Sequence, residues 1–242
     1  MIGRLIANEV ASLRRSFVVW LALLLAVGGS VLARMVAWIA HAAARAGLGG
    51  FPFVSADLGW SDVAIPLALL AYLFLTSYMF GRDFEDGNID LILTAPVRRE
   101  AIVAARTIVI AASVLGLALM GWCADVAMRA VLATSSFDPG PATTMLAALA
   151  SAVGAVATLP LVAWAAVRFR GVLPALGLGI AVEVVVLALG GIAQVRSVPW
   201  FLPATLAAGG SVSLLSIVLS ALLFAVGLAA TSQGLRGVDL FE

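Results

Sequence analysis

Asp83, Glu85, Asp86 and Asp90 fall within eight positions, and Arg98, Arg99 and Glu100 follow closely. The stretch Gly81–Glu100 therefore carries eight charged residues in a chain that is 63% hydrophobic and 11% charged. No His or Cys lies among these acids, so their chemistry is that of docking or helix capping. The single His, His41, has no Cys or acidic cluster beside it in sequence, and no metal site is read there. No catalytic set emerges elsewhere. One acid stands apart. Glu183 lies in a long apolar run, where a charge is costly and calls for a partner, a cavity or a proton. Three roles fit it: lining a pathway, binding a cationic cargo, or bonding a Ser or Thr of a neighbouring helix.

The elements that must position these acids are membrane helices. The mean hydropathy is +1.14 over 242 residues. A soluble domain carries about 25% charged residues, far more than this chain. The composition defines an all-α polytopic membrane protein. A spanning helix needs about 20 apolar residues. Six segments qualify, near Phe17–Ile39, Val63–Phe80, Ala101–Ala124, Thr143–Val167, Val172–Gly190 and Ser211–Gln233. All 14 basic residues are Arg, and there is no Lys. An ordinary Walker A site, which needs a Lys on the phosphates, is therefore excluded.

Arginine placement sets the expected orientation. With the N-terminus inside, ten Arg lie inside and four lie outside or near the outer ends. Both termini are then cytoplasmic. The first span reads as uncleaved, because five further spans follow. Before it, Ile2, Leu5, Ile6, Val10, Leu13 and Phe17 recur at helical spacing, with Arg4, Asn8, Ser12, Arg14 and Arg15 largely elsewhere. Residues 1–16 therefore read as an amphipathic helix on the inner membrane surface, or as a wet extension of the first span. Asp125 and Arg129, four apart, read as a same-helix pair snorkelling at the outer boundary, and Arg34 as its like. Cys123 reads as a small buried hydrophobe. Trp60, Trp122 and Trp200 suit an aromatic belt.

The acidic cluster opens a short helix of its own. Acids favour a helix start, and Pro96 stops it, so a helix is expected over about Asp86–Ala95. Ile89, Ile92 and Leu93 give it an apolar docking side. Asp83, Glu85, Asp86 and Asp90 are its polar contacts. The competing reading is a solvated connector whose acids only cap helices.

From Phe80 to Arg106 the sequence resembles the stretch after the second span of ABC-2 transporter permeases. The shared pattern is Glu85, Gly87, the run Ile89–Leu93, then Pro96-Val97-Arg98-Arg99, with Arg106 where relatives carry a Lys. Phe169–Gly209 is similar to small bacitracin- and lantibiotic-type permeases through Phe169, Gly171, Pro174, Pro199, Trp200 and Pro203. The resemblance implies a single permease domain over 1–242, with residues 82–96 as a coupling helix and 195–210 as an outer re-entrant loop. Pro199, Trp200 and Pro203 are then either an outer gate or part of the belt. It implies a permease dimer, from a second copy or a related permease, in the cytoplasmic membrane of a bacterium. ATP and Mg would sit on separate cytoplasmic ABC ATPase subunits, with no cofactor on this chain. The partners are those subunits and membrane lipid, and not nucleic acid. The function implied is export of an antimicrobial peptide, drug or other amphipathic molecule. Two alternatives stand beside it: a haem-export permease of cytochrome maturation, and a non-transporting anchor or assembly factor.

Overall fold

A computed structural model describes residues 2–46, 60–89, 94, 97–132, 140–189, 199–207 and 212–237. Among these the chain forms eight α-helices and one 3-10 turn. They are α1 (Ile2–Arg15), α2 (Phe17–Arg45), α3 (Trp60–Glu85), α4 (Arg99–Val131), α5 (Pro141–Arg168), α6 (Val172–Leu189), α7 (Leu202–Ala207) and α8 (Leu214–Arg236). The 3-10 turn Pro199–Phe201 precedes α7 directly. Six helices are long and apolar enough to cross a membrane: α2, α3, α4, α5, α6 and α8. The chain is an all-α polytopic membrane protein, as its composition requires.

Local chemistry sets the element ends. Ser16 separates α1 from α2: its Oγ accepts from the Val18 N–H at 3.1 Å. Such a cap satisfies a donor that the first turn leaves without a partner. At the other end of α3, Gly87 takes a left-handed conformation (φ +66°) that L side chains resist. Asn88 N–H then reaches back to the Asp83 carbonyl at 2.9 Å, and Asp86 N–H to that of Arg82 at 2.8 Å. This closes the last carbonyls of α3.

α3 is the hub, packed against α2, α4, α5 and α6. Its apolar stretch is 67% buried, against 22% for α6 and for α8. Tyr72, Leu75, Thr76, Ser77, Met79 and Phe80 are all buried along it. Close approaches replace a water-driven core here. A Cβ on Gly227 of α8 would lie 2.8 Å from Pro160 of α5, and one on Gly179 of α6 2.8 Å from Leu73 of α3. The outer faces of α6 and α8 are apolar and exposed, at Val184, Leu187, Ile217 and Leu222 among others. Such faces suit lipid or another membrane subunit.

The tightest crossing lies at Gly81. A Cβ there would meet Val172 N at 2.6 Å and Gly171 C at 2.7 Å, which are backbone atoms that cannot swing aside. Gly81→Val is therefore expected to push α3 off the start of α6, at a cost of about 1–3 kcal/mol. Thermal unfolding in detergent should show the lower midpoint, and an unchanged midpoint would refute the crossing.

Candidate functional site

Among the described residues three polar sites interrupt the apolar bundle. The first is at the end that carries α1. Arg82 of α3 donates from Nη2 to Glu9 Oε2 of α1 at 2.7 Å and from Nη1 to Ser12 Oγ at 2.8 Å. Arg106 of α4 donates from Nε to Glu9 Oε1 at 3.0 Å and from Nη2 to Asp83 Oδ2. Arg82 Nε also lies 3.7 Å from Asp83 Oδ1. Two guanidiniums thus alternate with two carboxylates, and the charges cancel. Arg82, Asp83 and Arg106 are all buried. The guanidiniums also lie over the Tyr78 and Phe80 rings, at 5.4 and 5.8 Å from the centroids. Cation–π attraction adds to the ion pairs there. This network ties α1, α3 and α4 together.

The acidic cluster divides around it. Arg82–Glu85 belong to α3 and not to a separate connector helix, because the chain does not turn until Gly87. Asp83 therefore faces inward, 7% exposed, and is spent on Arg106 and Arg82. This corrects its expected place as a surface contact. Glu85 is exposed, yet its Oε1 accepts from the Val172 N–H at 2.7 Å. It thereby caps the N-terminus of α6, where a carboxylate also meets the positive end of the helix dipole. Asp86 is exposed, and Ile89 is half-buried against the core. Asp90, Ile92 and Leu93 lie outside the described residues.

The second site lies at the opposite end. Asp125 of α4 is completely buried. Its carboxylate accepts from Arg34 of α2 at both oxygens, the Nη2 bond being 3.3 Å. It also accepts from Arg129 Nε at 2.9 Å and from Thr144 Oγ1 of α5 at 3.1 Å. Asp125, Arg129 and Arg34 do not snorkel as the sequence suggested. Three helices close around them, and Arg34 is 3% exposed. Cys123, expected inside, is exposed on α4, because the buried side of that turn is taken by Gly121 and Asp125.

The third site forms around Glu183. Val172 opens α6, and Glu183 lies 11 residues further, about 16 Å along the axis. That is about half of a ~30 Å hydrocarbon core. Glu183 is 9% exposed, and its Oε1 has no hydrogen-bond partner. It lines a narrow cavity of about 30 Å³ with Tyr72, Thr158, Gly179, Trp200 and Pro203. The turn and α7 are held inside the bundle by Gly154, where a Cβ would lie 2.9 Å from Pro203 N. Gly154 is near the middle of α5, so this segment packs deep against it. Glu183, Trp200 and Pro203, 17 to 20 positions apart in sequence, thus share one space. Pro199 is buried in the adjoining turn.

Sequence reasoning missed Glu9 and gave Arg106 no partner. A signal existed: Arg106 lies inside a span and must find an acid, and Glu9 is the acid of the amphipathic helix. Nothing local announced that the two meet across 97 positions.

Six spans, buried ion pairs that tie helix to helix, and an intramembrane acid facing a cavity define a polytopic helical membrane protein with a polar interior. The sequence model of the ABC-2 family transporter proteins matches residues 5–186, and the chain belongs to that family. It is therefore a membrane subunit of an ABC transporter, in a family that works with a cytoplasmic ABC ATPase and usually assembles as a dimer. No curated protein matches the chain.

Proposed function

We propose that the chain is the permease of an ABC exporter, of the small bacitracin- or lantibiotic-type, that moves an antimicrobial peptide, drug or other amphipathic molecule. Two permeases, alike or related, form the pathway in the cytoplasmic membrane of a bacterium. Both termini and the α3–α4 connector face the cytoplasm. Separate ATPases hold ATP and Mg and dock on the connector through Glu85, Asp86, Ile89, Asp90, Ile92 and Leu93. Asp83 has another task, as an internal tie.

The observation that carries this reading is the corner from which the connector leaves. Its first residues follow a helix end bound to α1 and α4 by Arg82, Asp83, Arg106 and Glu9, and to α6 by Glu85. A push at the connector therefore reaches four helices through charge-assisted bonds, which are stronger than neutral ones. A solvated connector would need no such fastening. Pro199, Trp200 and Pro203 act as the outer gate, Trp200 and Pro203 lining the cavity of Glu183.

The test is charge reversal that spares Asp83 and Glu85, the two acids with the internal bonds described above. Asp86→Arg with Asp90→Arg is expected to lower co-purification of the cytoplasmic ATPase, and permease-stimulated ATP hydrolysis, by about tenfold. The thermal midpoint of the single Asp86→Arg variant should hold, because Asp86 is exposed. Intact ATPase binding and coupling would overturn the docking assignment. Unchanged sensitivity of a deletion strain to every peptide and drug in a resistance panel would overturn the cargo class.

A further inference from the structure

Resting on the transport reading above, the geometry points to a subsite at Glu183 for one ammonium group of the cargo. Four observations converge on it. The carboxylate is nine-tenths buried and keeps an oxygen without a partner. Buried polar atoms are rarely left so, and exceptions are often functional. The carboxylate opens on a cavity, and among the described residues no Arg lines that cavity to neutralise it. The contrast with Asp83 and Asp125 is direct, since each of those is matched by two guanidiniums. Two aromatic rings, Tyr72 and Trp200, line the same cavity, and aromatic faces attract organic cations.

The size and lining choose the ligand. About 30 Å³ has room for a small group beyond one water and lies far below the roughly 300–1,000 Å³ of a drug-sized pocket, so the cavity takes a head group and not a whole drug. A metal ion such as Ca²⁺ needs six or more oxygens. One carboxylate, Tyr72 and Thr158 do not supply that shell, whereas an ammonium needs one strong acceptor and apolar or aromatic walls. The rest of the cargo then lies along the apolar helix surfaces outside. Trp200 comes, with Pro203, from the segment proposed as the outer gate, so a ring that lines the cation's place also belongs to the part that would open. Loading and gating thereby share one residue.

The experiment uses the full-length permease in nanodiscs of zwitterionic lipid. Dodecylammonium is the probe, with dodecanol as its neutral match and empty nanodiscs as the blank. Saturable binding of dodecylammonium is expected, weakened at least about tenfold by Glu183→Gln, as suits the loss of a charged hydrogen bond. Trp200→Leu should weaken it several-fold. Dodecanol should respond to neither change. Equal binding of the two probes, or wild-type binding by a folded Glu183→Gln variant, would overturn the subsite. Should that variant fail to fold, the wild-type protein decides. Dodecylammonium is expected to protect Glu183 from dicyclohexylcarbodiimide, as read by peptide mass spectrometry, and undiminished labelling would overturn the proposal. None of these measurements needs an ATPase. A permease that binds the cation but recruits no ATPase rejects the transport reading alone. One that recruits an ATPase and ignores the cation rejects the subsite alone.

Discussion

Asp125→Ala is expected to cost about 3–5 kcal/mol of stability. The reason is arithmetic of charge. One completely buried carboxylate serves Arg34 and Arg129 and also accepts from Thr144. Its removal takes from Arg34 and Arg129 the carboxylate that they share. Arg34→Met removes one guanidinium only, and Asp125 keeps Arg129 and Thr144. The second variant should therefore lose distinctly less, by about 1–2 kcal/mol, since a buried acid with one remaining base is still paired. Unfolding in detergent should show the order, with Asp125→Ala lower by several degrees than Arg34→Met. Equal losses from the two variants would refute a shared acid. Asp125→Asn sharpens the point. It keeps the shape and an oxygen for Thr144 but removes the charge, so it should resemble Ala far more than wild type.

The bundle itself was legible because a spanning helix announces itself locally. About 20 apolar residues and a turn signal suffice, and nothing distant needs to be known. The ends of α4 and α6 accordingly fall within a few residues of expectation, apart from the C-terminal extension of α4 to Val131. That extension explains the error at Asp125. Hydropathy stops near Ala124, so the next charges read as boundary residues. The helix continues, and the ends of α2 and α5 close over it. Partners were illegible for a different reason. Arg34 and Asp125 are 91 positions apart, and Glu85 and Val172 are 87 apart. Helical spacing predicts only neighbours three or four residues away. It therefore paired Asp125 with Arg129, a true bond, and missed the stronger network around it. Glu85 shows the same limit. The helix whose first turn it caps is α6, which no local spacing could show.

Glu183 was readable in advance as an anomaly because an acid in a run of Val and Leu has no local excuse. What the sequence could not supply was the company. Tyr72 comes from α3, Thr158 from α5 and Trp200 from the turn before α7. The packing of Gly154 on Pro203 helps bring that turn to the acid. The three polar sites also differ in kind. Those at the two ends are charge-balanced or nearly so, and they fasten helices. The middle one is unbalanced and beside a cavity. On the subsite proposed above, structural fastening and ligand capture would be separated along the membrane normal.

Arg106→Met should release α1 from the bundle and disconnect ATP hydrolysis from transport. Arg106 is 3% exposed and bridges Glu9 of α1 to Asp83 of α3. Without it, Asp83 retains only the Arg82 contact at 3.7 Å, and Glu9 retains only Arg82 and has lost its hold on α4. Breaking a buried network from one side costs about 3–5 kcal/mol when a charge is stranded. Part of that loss is global, so midpoint alone cannot assign the role. Amide exchange can. Residues 2–15 should exchange faster by about tenfold or more, while the hub of α3 around Tyr72–Met79 stays protected, because local opening and global unfolding separate in this measurement. Arg106→Lys keeps the charge but loses the fork that reaches two acids at once. It should restore the midpoint in part and the protection of α1 less. Glu9→Gln removes one acid and leaves Asp83 on Arg106, so it should free α1 with a smaller cost in stability. If α1 stays protected in Arg106→Met, its hold comes from the apolar contacts of Ile6 and Leu13, and the ion network is not the lever that carries motion from the connector into α1.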